Sequence, residues 1–334
     1  MSAKEQHPED SRRTHGTPLF EFLTSHFNII SILGVFILLF AFFSIQTDAF
    51  LTTENLVNVG RQIAPTIIVA TMMTLVITTG QIDLSVGSII GLTASALAIF
   101  LENGNPLFAV AATLLIGLSA GLINGVLAAY GKLPAFIVTL AALIALRGTA
   151  LLITQGYSTQ ITVDWVLWLG QGKFLGIFIP TWIALITVFF GWYLFTQTRF
   201  GRYVVAAGSN AEALRRSGVN VKRVLAATLM LTGLFAGISG VLIAARLATG
   251  SSNSGTLFEL EVITAVVLGG TSLLGGRGSV LGTLIGALTL GIIANGLVLL
   301  RVDVFWVPIT QGVILIIAML LNQSAVDRFQ RRKA

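Results

Sequence analysis

Residues 57–101 read VNVGRQIAPTIIVATMMTLVITTGQIDLSVGSIIGLTASALAIFL, and Arg61 and Asp83 are their only charges. A hydrocarbon core of roughly 30 Å takes about 20 apolar residues of helix to cross. The stretch is long enough for two crossings with a break between them. The break is Gly80-Gln81-Ile82-Asp83, where glycine permits a turn and Asp83 can cap the helix that follows. Across the 334 residues, 55% are hydrophobic and 10% charged. A soluble protein carries roughly 25% charged residues, so this surface belongs in lipid. The fold class is all-α: a polytopic membrane protein.

Outward from that pair, the chain reads as ten candidate spans: 28–46, 57–79, 84–101, 107–130, 133–154, 175–196, 223–246, 259–274, 279–299 and 304–322. A second short break, Gly275-Gly276-Arg277-Gly278, divides the eighth from the ninth. The expected organisation is a cytoplasmic tail over 1–27, a transmembrane domain over 28–322 and a cytoplasmic tail over 323–334. The first apolar run exceeds the roughly 7–15 residues of a signal-peptide core, which predicts a retained span. With both termini inside, fifteen Lys and Arg fall on inner segments. Only Arg61, Arg147, Lys173, Arg246 and Arg301 fall outside, the bias expected of a membrane protein. Topology therefore accounts for the net charge of +6, and no nucleic acid need be invoked. The chain has no cysteine and three histidines, two of them (His7, His15) in the first tail, so no metal site is expected.

Glycines four apart (Gly87/Gly91, Gly117/Gly121/Gly125, Gly233/Gly237, Gly282/Gly286) predict close helix packing. Residues 78–91 align with 269–282, matching Gly87, Ser88 and Gly91 to Gly278, Ser279 and Gly282; Asn124-Gly125 parallels Asn295-Gly296. This predicts an internal repeat whose two copies share one orientation.

The longest polar stretch on the inner side is 197–223. Asn210 can cap a helix running to Arg216, and Gly218 can end it. Its face would carry Glu212, Ala213, Leu214 and Arg215. Asp83 is the carboxylate most embedded among apolar spans, a capping or gating candidate. Gln62, Asn124 and Asn295, with Thr66, Thr71, Thr74, Thr139 and Thr264, could offer polar partners along a pore or bond helix to helix. Glu259 and Glu261 are expected at the outer end of the eighth span, where a helix N-terminus favours acids. Trp165 and Trp168, in a predicted external loop over 155–174, suit the membrane interface. No phosphate-cradling G-x-x-x-x-G-K-[ST], H-E-x-x-H or G-x-S-x-G motif occurs, so neither nucleotide binding nor enzymatic chemistry is expected of this chain.

Three segments carry a family resemblance: Thr79 to Ser88, Arg202 to Gly218, and Val267 to Thr283. Within the second, Glu212-Ala213-Leu214 followed by Gly218 is similar to the helix that ABC permeases dock into their ATPase. The chain resembles the permease subunit of ribose-type sugar ABC importers over about residues 50–322. Gln81 and Ser209 depart from the family, standing where glycine or another small residue is usual. The resemblance implies an inner-membrane pore of two permease copies, identical or closely related. It also implies a cytoplasmic ATPase that binds the ATP, a periplasmic sugar-binding protein, and no cofactor on this chain. Arg277 would mark the inner face or touch lipid phosphate or the ATPase. Competing readings are an ABC permease for a branched-chain amino acid, an ion-coupled secondary transporter, and a membrane enzyme or scaffold.

Overall fold

The computed structural model describes residues 27–303, 305–310, 312–314 and 316. The predicted C-terminal tail, all of the predicted N-terminal tail but Phe27, and nine of the nineteen residues of the tenth predicted span lie outside these residues. The described chain is predominantly helical: α1 Phe27–Gln46, α2 Thr53–Thr78, α3 Val86–Asn103, α4 Pro106–Ala129, α5 Ala135–Thr154, α6 Asp164–Gln171, α7 Ile179–Gln197, α8 Arg199–Arg216, α9 Val221–Leu247, α10 Phe258–Leu268 and α11 Val280–Leu299. Two strand pairs of two residues each (β1 Thr159–Gln160 with β4 Thr249–Gly250, β2 Lys173–Phe174 with β3 Ile177–Phe178) tie connecting segments together. Six helices (α2, α4, α5, α7, α9, α11) are long and apolar enough to cross a membrane. Leu38, Leu107 and Leu152 are 68%, 70% and 77% exposed, as expected of side chains that face lipid.

Helix α2 is the axis of the bundle. Thr52 caps it, its Oγ1 accepting from the Asn55 amide at 3.3 Å, and every residue from Ile63 to Thr78 is buried. Pro65 lies inside it, and the Ser239 hydroxyl donates to the Pro65 carbonyl at 3.3 Å. Helices α7, α9, α10 and α11 pack around it. The predicted glycine seams are present. A Cβ on Gly117, Gly121 or Gly125 of α4 would sit 2.7, 2.5 or 2.6 Å from carbonyl oxygens of Gly233, Leu229 and Ala226 on α9. Only hydrogen at those positions lets the two backbones touch.

Two predictions are corrected. The eighth span is α10, of 11 residues; at 1.5 Å per residue it is about 16 Å long, half a membrane. The segment 155–174 is not a plain loop, since it contains α6, which carries Trp165 and Trp168. The predicted repeat keeps its shared orientation, since α10 runs with α2 while α11, like α3, runs against it, Thr283 meeting Thr74 and Asn295 meeting Asn55. A second, inverted pairing also exists. Helices α2 and α9 are antiparallel: Val224 clusters with Met72 and Leu75, Ser239 meets Pro65, and Arg246 donates to the Gln62 carbonyl. Helix α3 runs with α9, Gly240 lying on Ile90 and Thr93 and Ala244 and Ala245 clustering with Leu97 and Ala98. Helix α10 runs with α2: Glu261 meets Thr66, and Gly276, beyond its end, meets Thr78. The units α2–α3 and α9–α10 are thus inverted, the arrangement common in transporters. In that inverted pair 79–85 stands where 249–257 does, while 269–279 is its counterpart in the pair that shares one orientation, Gly275 lying against Gly80.

Candidate functional site at the helix breaks

The first break begins at Gly80, whose φ of 81° places it in the left-handed region that glycine adopts freely. Residues 81–85 then turn back among the helices in non-helical form before α3 starts. Backbone of this kind is tolerated at membrane depth only where protein or water satisfies it. Here Thr139 Oγ1 donates to the Ile82 carbonyl at 3.2 Å. Fully buried Asp83 accepts at Oδ1 from the Ser85 amide (2.9 Å) and hydroxyl (2.6 Å). Asn124 Nδ2 donates to Ser85 Oγ at 2.9 Å. Asp83 is thus not the N-cap expected of it: Ser85 is the N-cap of α3, and Asp83 closes a turn onto Ser85 while its Oδ2 has no hydrogen-bond partner. Asn295 exchanges two amide bonds with Asn55 (2.9 and 3.0 Å), tying α11 to α2. Gln62 is exposed near the start of α2. The threonines bond within the bundle, Thr74 Oγ1 lying 2.8 Å from Thr283 Oγ1.

A further break, at 249–257, reaches inward to the start of α3 and is built around an arginine read from the sequence as an outer-end charge. Arg147 lies well inside α5. Its Nη1 donates to the carbonyls of Ser252 and Ser254, and its Nη2 to that of Gly87 at 3.2 Å. One guanidinium so pins the segment 249–257 onto the first turn of α3. Gly87 has no side chain because the Glu259 carboxylate and the Gly255 carbonyl occupy the space. Glu261 accepts from Thr66 Oγ1 at 2.8 Å, midway along α2. Both acids are therefore at half depth, not at the outer surface. The linking segment carries the helix start inward before it coils.

The third element is α8. Its backbone leaves the helical region at Asn210 (φ −159°, ψ 90°), dividing it into 199–209 and a short turn through Arg216. It is longer than the helix predicted for 210–216, but that part has the predicted ends. Asn210 Oδ1 accepts from the Ala213 amide at 2.9 Å. Gly218, at φ 86°, donates to the Arg215 carbonyl, and Val219 donates to that of Leu214. This pair is a Schellman stop with its apolar contact between Val219 and buried Leu214. Glu212 pairs with Arg215 and Arg216 at 2.6 and 3.0 Å, and hydrogen bonds from these two hold its carboxyl below the usual range. Ala213, like Glu212 and Arg215, is exposed.

Both halves meet at α8. The Gly276 amide donates to the Thr78 carbonyl at 2.8 Å. A Cβ on Gly208 would collide with both of those residues. One on Gly275 would come within 3.1 Å of Gly80 Cα and 3.2 Å of Gly208 Cα. Gly278 lies against Thr78 Oγ1. Exposed Arg277 accepts at its carbonyl from the Ser272 amide, closing the 272–277 loop. Among the described residues no cluster of three His, Cys, Asp or Glu side chains could hold a metal.

The family model described as branched-chain amino acid transport system / permease component matches residues 55–321. The chain is 43% identical over 293 residues to the ribose import permease protein RbsC of Escherichia coli K12, covering 86% of this chain and 91% of that protein. It is 40% identical over 295 residues to RbsC of Bacillus subtilis, covering 87% and 91%. It is 37% identical over 311 residues to the L-arabinose ABC transporter permease protein AraH of Azospirillum brasilense, covering 91% and 90%. No solved structure matches the chain.

Proposed function

The chain belongs to the branched-chain amino acid transport system / permease component family, and from that premise we propose that it is the membrane-spanning subunit of an ABC importer for a ribose-type monosaccharide. It is a transport subunit rather than an enzyme, as its permease relatives are. The observation that carries the reading is a family match over most of the chain, in which α8, ending in an exposed capped turn, rests on the ends of both α2 and α10. The partners would be a second permease copy, a cytoplasmic ATPase that binds the ATP, and a periplasmic sugar-binding protein. The chain would cross the inner membrane in about ten segments, α10 among them at half length, with both termini cytoplasmic. ATP-driven closure of the ATPase would push on residues 210–218, and α8 would pass the displacement to the ends of α2 and α10.

A second reading is an ABC permease for an amphoteric small molecule such as a branched-chain amino acid. The half-depth charges Arg147, Glu259 and Glu261 favour it. Against it, Arg147 is already bonded to three carbonyls. Uptake of labelled ribose in cells with and without this chain, competed by unlabelled sugars and leucine, separates the two. Competition by one sugar supports the sugar pore. Competition by leucine alone moves the assignment to amino acids.

A further inference from the structure

Helices α4 and α9 are welded at their glycine seam but leave a groove beside it, on the face away from α2. The groove is about 450 Å³. One wall is Leu122, Val126 and Tyr130, a row of side chains four apart on α4; the other is Arg223, Ala226, Ala227 and Met230 on α9. The row on α4 spans eight residues, about 12 Å of helix. Leu122 and Val126 are each 43% exposed, and Ala226 keeps the floor low. The groove is therefore apolar along its length and basic at one end. At that end Arg223 lines it, and the Lys222 ammonium stands 5.4 Å over the Tyr130 ring. Lys132 follows two residues after Tyr130. None of Lys132, Lys222 and Arg223 has a carboxylate within ion-pair distance among the described residues.

We propose that this groove is a binding site for an anionic phospholipid, its acyl chain lying between Val126 and Ala226 and its phosphate held by Lys222 and Arg223. An apolar trough ending in unpaired cations is complementary to one chemical class, a hydrocarbon tail bearing a phosphate. Basic pockets between membrane helices bind such headgroups. The tyrosine fixes the ammonium at the mouth through its ring. A second copy of the chain would bring no matching charge to an exposed Arg223 unless it presented an acid there. The proposal stands whichever substrate the pore carries and whichever side this end faces.

Native mass spectrometry of the purified full chain with phosphatidylglycerol or phosphatidylethanolamine added tests it. Wild type is expected to retain phosphatidylglycerol in preference. The variant K222Q/R223Q should weaken that retention about 5-fold for each cation removed. A227F, which fills the groove without changing charge, should also reduce it, and K173Q, at the opposite end of the helices, should not. Equal retention of both lipids by wild type, or undiminished phosphatidylglycerol on K222Q/R223Q, overturns the proposal. Cross-linking of a V126C variant to a second copy also overturns it, because that face would then be covered by protein; the chain has no other thiol to confuse the result. If A227F fails to fold, K222Q/R223Q decides.

Discussion

At the scale of single residues, Asp83 shows how a buried carboxylate can serve geometry. Its Oδ1 holds both the amide and the hydroxyl of Ser85, and Ser85 in turn receives Asn124. Asp83→Ala removes both bonds and should cost about 1–3 kcal/mol, read as a lowered unfolding temperature in detergent. Asp83→Asn keeps an acceptor and should cost less while preserving uptake. Uptake lost equally in both variants would instead assign the work to the charge. The cap expected at Asp83 falls two residues later, at Ser85; an acid ahead of an apolar run signals a local bond to nearby backbone but not which residue starts the helix. Arg147 was not legible. Its partners Ser252 and Ser254 lie more than a hundred residues away, and hydropathy reports only a residue's position along its own helix. Glu212 gives the pH expectation. Its lowered carboxyl pKa means the pairs with Arg215 and Arg216 stabilise the turn fully above the ordinary carboxylate range and are lost as pH falls through the depressed value. Chemical-shift titration of the Glu212 carboxyl should show a midpoint below the ordinary carboxylate range, and the gain in stability should be small because the pairs are exposed.

At the scale of elements, α8 and α10 mark what a sequence can and cannot yield. The turn ending α8 was readable because Asn210 and Gly218 act on neighbours within four or five residues. Asn210→Ala should cost that turn about 0.5–2 kcal/mol. Faster amide exchange confined to 211–217, with sugar uptake reduced and the rest of the bundle unchanged, is the expected outcome. Helix α10 was misread as a full span because the Gly, Thr and Ser of 269–274 are not polar enough to break an apolar window. The left-handed glycines Gly270, Gly275 and Gly276 end it instead, and hydropathy carries no information on backbone angles.

At the scale of the whole molecule, the two inverted units share contacts that neither could make alone. Arg147, on α5, ties the first turn of α3 in one unit to the link that opens α10 in the other. Arg147→Ala should free that link, raising amide exchange over 251–255 by at least about tenfold, since a bond to a charged group contributes roughly 1.5–3 kcal/mol. Uptake should fall in parallel, and exchange over 79–85 should stay as in wild type. The inversion itself was hidden from sequence because two units related by an in-plane axis can share a backbone path while facing different lipid and protein neighbours. The alignment that the sequence does display, Gly87-Ser88 with Gly278-Ser279, joins two helix starts of one orientation. At the opposite end of the bundle, Gly208 rests on Thr78 and on Gly276 at once, and those two residues are bonded to each other. A lever set on that point has a single fulcrum under two loads. It has no stroke that lifts one load first, so a state with one unit displaced and the other at rest would have to begin by breaking the Gly276–Thr78 bond.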